Sequence, residues 1–429
     1  MATGFVGKVQ TLVGLAGVIA LGVSASMMTG INPLDYADDA FAVALDKLRG
    51  KMSDPLPRWS ERVDGRPFAG AVGGNRVIVL VNGEVQARRL GDGGPAWTRS
   101  VDWAVPTGDV VVAGRANGTG FEVLDANTGR VRWRDTAAGQ AWPYQDVVLS
   151  LTCDKRGDGC ALRARATGSG ATRWSARIDT AAQRLAGHPT LSEAMERDGM
   201  LHPSYPGSVP RLVGVVGDGQ VTVVDTGSGR VRGQLPEAAE TRVVAAGDRL
   251  LGVTARPADG GGCRYSVRAW NSSGAEVWSR NGYDLDTVSG SGCEQREDPP
   301  VAGRVVAGVT PDDRPVLLDV RTGSVRWTGA AGGRVLANDG TIAVVRAAEG
   351  GQLTAVGVGG GVLWQRAASK AAEVMVLPAG VVIKEPDQIT VVSRGGGIVK
   401  AWKSQAAVIG ADAGGLILAS GRAVGYAPW

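Results

Sequence analysis

The sequence predicts an all-β protein, an eight-bladed β-propeller, and three observations support this fold. A strand–turn–strand segment occurs eight times along the chain, and seven of the copies end in a Trp. The copies follow one another at intervals of roughly 40 residues, which is the usual length of a propeller blade. Further strand-like runs lie between them, such as the aliphatic run 77–81, so each unit holds about four short strands.

The clearest copy is the segment 121–134, which reads FEVLDANTGRVRWR. Val123 alternates with polar neighbours, the DANTG letters provide a tight turn, and alternation resumes at Val131 and Trp133. Gly129 supplies the positive φ that such a short turn needs. In most copies the Trp follows this Gly by four residues. In the fourth copy Gly233 replaces the Trp, and the eighth copy has one extra residue, as in a β-bulge.

Because the Trp residues share one repeat position, we expect each to place its large apolar surface between neighbouring blades. The predicted interblade docking residues are Trp97, Trp133, Trp174, Trp278, Trp327, Trp364 and Trp402.

The alternating strand, the D-x-x-T-G turn and the closing Trp together resemble the pyrroloquinoline-quinone-like propeller repeat. The match is best over residues 123–133 and 317–327. That family includes quinoprotein alcohol dehydrogenases and the BamB-like scaffold of outer-membrane protein assembly, and its propellers typically have eight blades. The resemblance covers residues 57–429, and its motifs specify the blade without specifying an activity.

The number of blades rests on how the two ends of the domain are counted. Strand-like runs at 416–419 and 423–426 follow the last Trp copy, and the short run 58–60 precedes the first. Pairing of the two ends would remove exposed sheet edges, and taken literally it would create a ninth blade. Following the family, we predict eight blades with the Trp-less fourth unit irregular, and nine blades are the alternative.

The first 56 residues are expected to connect the propeller to a membrane. Residues 9–32 contain no charged side chain, a run long enough to span a bilayer. We predict a cytoplasmic stub at 1–8, a transmembrane signal anchor at 9–29 and a juxtamembrane stalk at 30–56. The alternative is a cleaved signal peptide, because residues 23–25 resemble a cleavage site. Both interpretations place the propeller outside the cytoplasm.

The four cysteines suit an oxidising compartment. Cys153 and Cys160 flank a short hairpin connection, which would bring their sulfur atoms within bonding distance. Cys263 and Cys293 then pair by elimination, across consecutive units, although the sequence alone permits three pairings. Free or metal-binding thiols are the alternative, but the chain has no C-x-x-C spacing.

The fourth unit contains an extra segment, roughly 179–210, which holds both histidines of the protein. Insertions on a rigid scaffold often carry binding sites. We therefore predict a partner-binding loop with His188, Glu193, Glu196 and His202, and no metal site, because their spacing matches no zinc pattern. Long loops near the last two cysteines suggest that blades four to six share one decorated face.

The sequence favours a non-catalytic, membrane-tethered scaffold that binds another protein of the cell envelope. It contains no catalytic constellation, and we expect no cofactor, no metal and no nucleic-acid partner at a net charge of only +4. A quinoprotein dehydrogenase is one alternative, but the adjacent Cys-Cys pair that the resemblance implies for such enzymes is missing. A sensor of extracellular ligands is another, and it would need a partner because residues 1–8 leave no room for an output domain.

Overall fold

The computed structural model describes residues 57–81, 83–115, 119–154, 159–179, 182–186, 208–236, 241–287, 293 and 303–429. In this part of the chain all regular secondary structure is β, in nine antiparallel sheets that form a propeller. Eight sheets have four strands and one has three. The prediction of an all-β propeller is therefore confirmed.

Within each blade we letter the strands A to D from the centre outwards. Blade one holds β2 (Ala69–Gly73), β3 (Arg76–Val81), β4 (Glu84–Arg89) and β5 (Pro95–Ser100). Blade two holds β6 (Trp103–Thr107), β7 (Val110–Gly114), β8 (Phe121–Asp125) and β9 (Val131–Asp135). Blade three holds β10 (Gln140–Pro143), β11 (Val147–Cys153), β12 (Cys160–Ala166) and β13 (Thr172–Ile178). Blade four holds β14 (Ala182–Leu185), β15 (Leu212–Gly217), β16 (Gln220–Asp225) and β17 (Arg230–Pro236).

Blade five holds β18 (Thr241–Ala246), β19 (Arg249–Pro257), β20 (Cys263–Trp270) and β21 (Glu276–Asn281). Blade six holds β22 (Val305–Val309), β23 (Pro315–Asp319) and β24 (Val325–Thr328). Blade seven holds β25 (Arg334–Asn338), β26 (Ile342–Arg346), β27 (Gln352–Gly357) and β28 (Val362–Ala367). Blade eight holds β29 (Glu373–Leu377), β30 (Gly380–Lys384), β31 (Gln388–Val392) and β32 (Ile398–Lys403). Blade nine holds β33 (Ala407–Ala411), β34 (Gly415–Ser420), β35 (Ala423–Pro428) and β1 (Trp59–Arg62).

The prediction of eight blades is wrong, because the two ends of the domain build a ninth. β1 pairs antiparallel with β35, from Trp59 opposite Tyr426 to Arg62 opposite Ala423. The repeat signature did not reveal this blade because its outermost strand comes from the other end of the chain. The ring is thereby closed with main-chain hydrogen bonds between its first and last strands.

The irregular blade is the sixth and not the fourth. Blade four has all four strands, whereas the innermost strand of blade six is reduced to one bridge between Asp284 and Val309. The missing Trp at Gly233 therefore changes a contact between blades without removing a strand.

The core lies between consecutive sheets, and the middle strands are buried on both faces. In β3, Val77, Ile78 and Val79 are fully buried. Each apolar cluster spans two neighbouring blades, as where Leu251 of blade five packs in one cluster with Leu318 of blade six. Double-sided burial explains why several B strands contain aliphatic runs, such as residues 77–81 of β3.

Both predicted disulfides are present. Cys153 and Cys160 face each other across the β11–β12 hairpin, with 3.9 Å between their Cα atoms. We call this bond the hairpin disulfide. Cys263, the first residue of β20, bonds to Cys293 in the connection from blade five to β22, with 5.5 Å between the Cα atoms.

Several predictions concern residues outside the described ranges. These are the cytoplasmic stub 1–8, the anchor 9–29, the stalk 30–56 and all four residues of the predicted partner loop. Within the ranges that the structure does describe, no helix has the length and apolar character needed to cross a membrane.

Candidate functional site

The antiparallel order of the strands gives the propeller two distinct ends. The A–B and C–D turns of every blade lie at one end, which we call the CD face, and the B–C turns lie at the other, the BC face. β14 ends and β15 begins at the CD face, whereas the hairpin disulfide and Cys263 lie at the BC face. The predicted sharing of one decorated face by blades four to six is therefore not what the topology shows.

At the CD face, consecutive blades are joined by a Trp of one blade and the turn of the next. The indole N–H of Trp97 in blade one donates to the carbonyl oxygen of Ala126 in blade two, at 2.9 Å. The same ring covers Gly129, where an added Cβ atom would lie 2.7 Å from the indole. Gly129 has a φ of 68°, so this position needs glycine for its backbone and also for the ring above it.

The contact recurs around the ring, and Trp59 of β1 supplies it for the ninth blade. The equivalent indole N–H groups donate to the next blade in the pairs Trp59–Leu90, Trp133–Thr167, Trp174–Thr226 and Trp278–Val320. Sequence reasoning missed Trp59 because no Gly-containing turn precedes it along the chain.

Three of the predicted docking residues depart from this geometry. The ring of Trp364 covers Gly396 of blade eight, but its N–H has no acceptor among the described residues. Trp402 is buried in a cluster shared by blades eight and nine and likewise lacks a described acceptor. Trp327 is partly buried against a cluster that includes Val356 of blade seven, but the turn glycine of that blade, Gly360, lies against the backbone of Arg326 and not against the ring. The seven Trp residues thus share a location and differ in how fully they bond to the next blade.

Beneath the Trp contacts, the C–D turns are held by an Asp–Arg clamp. Asp125 accepts the backbone N–H groups of Asn127 and Thr128 with Oδ1, at 3.1 and 2.9 Å. Its Oδ2 accepts from Nη2 of Arg132 at 2.7 Å, and the same guanidinium reaches Asp109 in the A–B turn. One carboxylate therefore closes the turn and also fixes the outermost strand to it.

The clamp occurs in three blades, with the Asp four residues before the turn Gly and the Arg three after it. Its copies are Asp125–Arg132, Asp225–Arg232 and Asp319–Arg326. The sequence displays this spacing in all three blades.

The clamps shift the pKa values of their groups. The hydrogen bond from Arg132 is the largest influence on Asp125 and holds the pKa of that carboxyl below its ordinary value. The side chain of Asp225 is fully buried, which by itself would raise its pKa. Hydrogen bonds from Arg232 and from the backbone N–H of Gly227 outweigh this desolvation, so the pKa of Asp225 is lowered. Both carboxylates are therefore ionised at neutral pH.

The CD face also contains a cleft of about 420 Å³ between blades five and six. Asp248 of blade five borders it on one side, and Arg304 and the C–D turn of blade six border it on the other. Asp319 and Arg326 of the clamp form part of its wall. Arg304 and Arg321 are exposed, and neither forms an ion pair with a described carboxylate. The cleft therefore offers two guanidinium groups to an anionic group of a ligand.

A family model described as "Outer membrane protein assembly factor BamB" matches residues 81–269 and 264–409. The two matches together span most of the chain. The chain belongs to this family. The resemblance of its repeats to the BamB-like propeller is thereby confirmed.

The solved structures similar to this BamB-family chain have low sequence identity to it. BamB from Moraxella catarrhalis is 16% identical, with 76% of this chain and 96% of that chain covered, at a TM-score of 0.41. The computationally designed Ika8 protein is also 16% identical, with 82% and 100% covered, at 0.42. A eukaryotic initiation factor is 10% identical, with 82% and 91% covered, at 0.50, and this likeness concerns the fold alone. No curated protein matches the chain in sequence.

The structure does not locate the predicted partner residues of this BamB-family chain, because His188, Glu193, Glu196 and His202 lie outside the described ranges. Within those ranges, no three side chains of the types that bind metals come together. All four cysteines are engaged in disulfides.

Proposed function

We propose that this chain is a non-catalytic, membrane-tethered extracytoplasmic β-propeller that binds another protein of the cell envelope. The family match over residues 81–269 and 264–409 carries the proposal, because the family is described as an assembly factor. The two disulfides support an oxidising location outside the cytoplasm. The uncharged run in residues 9–29 supports the tether.

The CD face is the surface we assign to the partner. Its turns are held rigid by the Asp–Arg clamps and the Trp contacts, so a partner would meet a preorganised surface. The long connection between β14 and β15 starts and ends on this face and contains the four predicted partner residues. Arg304 and Arg321 would bind a carboxylate of the partner from the nearby cleft.

The test is crosslinking of the full-length protein in its native membrane, followed by detergent extraction, purification and mass spectrometry. One variant lacks residues 188–206, which leaves β14 intact together with Pro210, whose carbonyl oxygen accepts from Thr226. A second carries Arg304→Glu and Arg321→Glu. The matched control is Arg66→Glu, an exposed cation on the connection between β1 and β2 at the BC face.

We expect one envelope protein to be lost from both CD-face variants and retained by the control. Equal recovery from all four proteins would refute the CD face as the binding surface. If instead the purified chain carried a quinone absorbance with bound calcium and oxidised an alcohol, the non-catalytic assignment itself would be wrong.

A further inference from the structure

The outer rim of the propeller carries exposed aliphatic side chains on five consecutive blades. The large aliphatic side chains that are exposed in the described structure all lie on the outermost strands of blades four to eight. They are Val231, Val277, Val325, Val362, Leu363, Ile398 and Val399. Each lies near the start of its strand, at the edge of the CD face.

This exposure is greatest on blades seven and eight, where two adjacent residues of each strand are exposed. Val362 and Leu363 are 51% and 45% exposed, and Ile398 and Val399 are 57% and 48% exposed. Successive residues of a strand point to opposite faces of the sheet. Packing against one neighbouring blade therefore explains an aliphatic side chain at only one residue of each exposed pair. Contiguous exposed aliphatic side chains commonly mark an interaction surface.

The same two strands carry cations without a described carboxylate partner. Arg366 lies on β28, and Lys400 and Lys403 lie on β32. On blades two and three, in contrast, Arg132 and Arg173 of the outermost strands are bound to aspartates of their own blade. Blades seven and eight therefore combine exposed aliphatic groups with unneutralised positive charge, a combination suited to an anionic lipid surface.

The position at which the described chain begins would bring this surface close to a membrane, given the proposed tether at residues 9–29. β1 is the outermost strand of blade nine, and Trp59 begins it at the edge of the CD face. Blade eight, with β32 on its outer rim, is the next blade around the ring and shares an apolar cluster with blade nine. The described chain therefore begins on the rim of blade nine, between the rims of blades eight and one, and Trp59 itself contacts blade one. Of these two neighbouring rims, only that of blade eight carries exposed large aliphatic groups among the described residues.

We propose that the rim of blades seven and eight rests on an anionic bilayer surface. Its lipid-binding residues form the rim patch, which consists of Val362, Leu363, Arg366, Ile398, Val399, Lys400 and Lys403. The aliphatic groups enter the headgroup region while the cations contact lipid phosphates. The inference rests on the proposed tethering, which holds this rim close to the bilayer. It would fix the orientation of the propeller and leave most of the CD face free for a protein.

The test uses the full chain in vesicles with a fluorescent thiol probe at one of two matched positions. Gln365→Cys lies on β28 directly after Trp364, and Ser175→Cys lies on β13 directly after Trp174. Both positions are exposed, and the native cysteines are all in disulfides. A membrane-impermeant probe labels only outward-facing propellers. Vesicles contain a lipid-borne quencher and either zwitterionic lipid alone or about 30% phosphatidylglycerol.

We expect the probe at 365 to lose emission in anionic vesicles, while the probe at 175 keeps its emission. Raised salt should restore the emission at 365 by screening the cations. Adding Lys400→Glu and Lys403→Glu should weaken the rim contact at least about 25-fold, because each cation near an anionic surface contributes about a fivefold preference. Equal emission from the two probes in every vesicle would overturn the proposal. Loss of emission at 365 without vesicles, at raised protein concentration, would identify self-association and overturn it as well.

Flotation of the same samples separates this proposal from the tether. A chain that does not float with zwitterionic vesicles would contradict the anchor at residues 9–29. In that case the rim patch is tested by flotation with anionic vesicles. The unanchored chain should still float with these vesicles, whereas its Lys400→Glu, Lys403→Glu variant should not.

Discussion

Replacing Gly129 by Ala tests whether the Trp contacts between blades depend on glycine for two separate reasons. The residue has a φ of 68°, and Ala in this left-handed region costs about 1–2 kcal/mol. The new Cβ atom would also lie 2.7 Å from the indole of Trp97. Forcing the ring away should cost about 1–3 kcal/mol more, the range for overpacked sites. We therefore expect a total loss of about 2–5 kcal/mol in the free energy of unfolding.

Gly83→Ala is the matched control. Gly83 has a φ of 73°, yet apart from its two chain neighbours no atom of the described residues lies within 4 Å of the position of an added Cβ. This variant should lose only the backbone contribution, about 1–2 kcal/mol. A third variant, Gly129→Ala in a Trp97→Ala background, removes the ring that causes the clash. There the cost of Gly129→Ala should fall to that of the control.

The assay is thermal unfolding of the unchanged chain, of these three variants and of Trp97→Ala alone. Unfolding is monitored by far-UV circular dichroism so that loss of the indole does not disturb the signal. For a domain of roughly 370 residues, 1 kcal/mol corresponds to about 1–1.5 °C. Gly129→Ala should therefore melt about 1–4 °C below Gly83→Ala. Equal melting temperatures for the two single variants would refute the steric part of the reasoning. An undiminished effect in the Trp97→Ala background would show that the strain arises elsewhere.

Three further predictions concern the clamp, the disulfides and the Trp contacts. The lowered pKa of Asp225 stabilises the fold above the ordinary carboxyl pKa and ceases to do so as pH falls through the folded-state value. Asp225→Asn should therefore lower the free energy of unfolding, measured in urea, by about 2–3 kcal/mol at pH 7. This difference from the unchanged chain should shrink progressively toward pH 2. A difference that does not depend on pH would contradict the clamp. Each disulfide is removed in a separate variant by replacing its two cysteines with Ser. Loss of Cys263–Cys293, which closes a span of 30 residues, should lower the free energy of unfolding by about 3.5 kcal/mol. Loss of the hairpin disulfide, which closes a span of 7, should lower it by about 2.4 kcal/mol. The reverse order of urea midpoints would contradict the loop-entropy argument. Trp278→Ala should lower the melting temperature more than Trp327→Ala, because only Trp278 is buried with its N–H bonded to the next blade.

The repeat signature was readable from local chemistry alone. A turn that needs positive φ selects glycine, alternation marks the strands, and a Trp at a constant spacing marks an apolar contact, as in the segment 121–134. These requirements act within about fifteen residues, so they leave a pattern in every copy. The hairpin disulfide was equally predictable, because a short hairpin brings its two cysteines together.

The number of blades and the make-up of the CD face were decided only by tertiary structure. β1 lies more than 300 residues before its partner β35, and the register between Trp59 and Tyr426 follows from closing the ring and not from any local preference. The partner of each Trp is likewise a carbonyl group in the next blade, such as that of Ala126 for Trp97. Local sequence determined what one blade looks like. How many blades fit, and which groups meet where they join, depended on the geometry of closure, because packing between sheets acts through space between residues far apart in the chain.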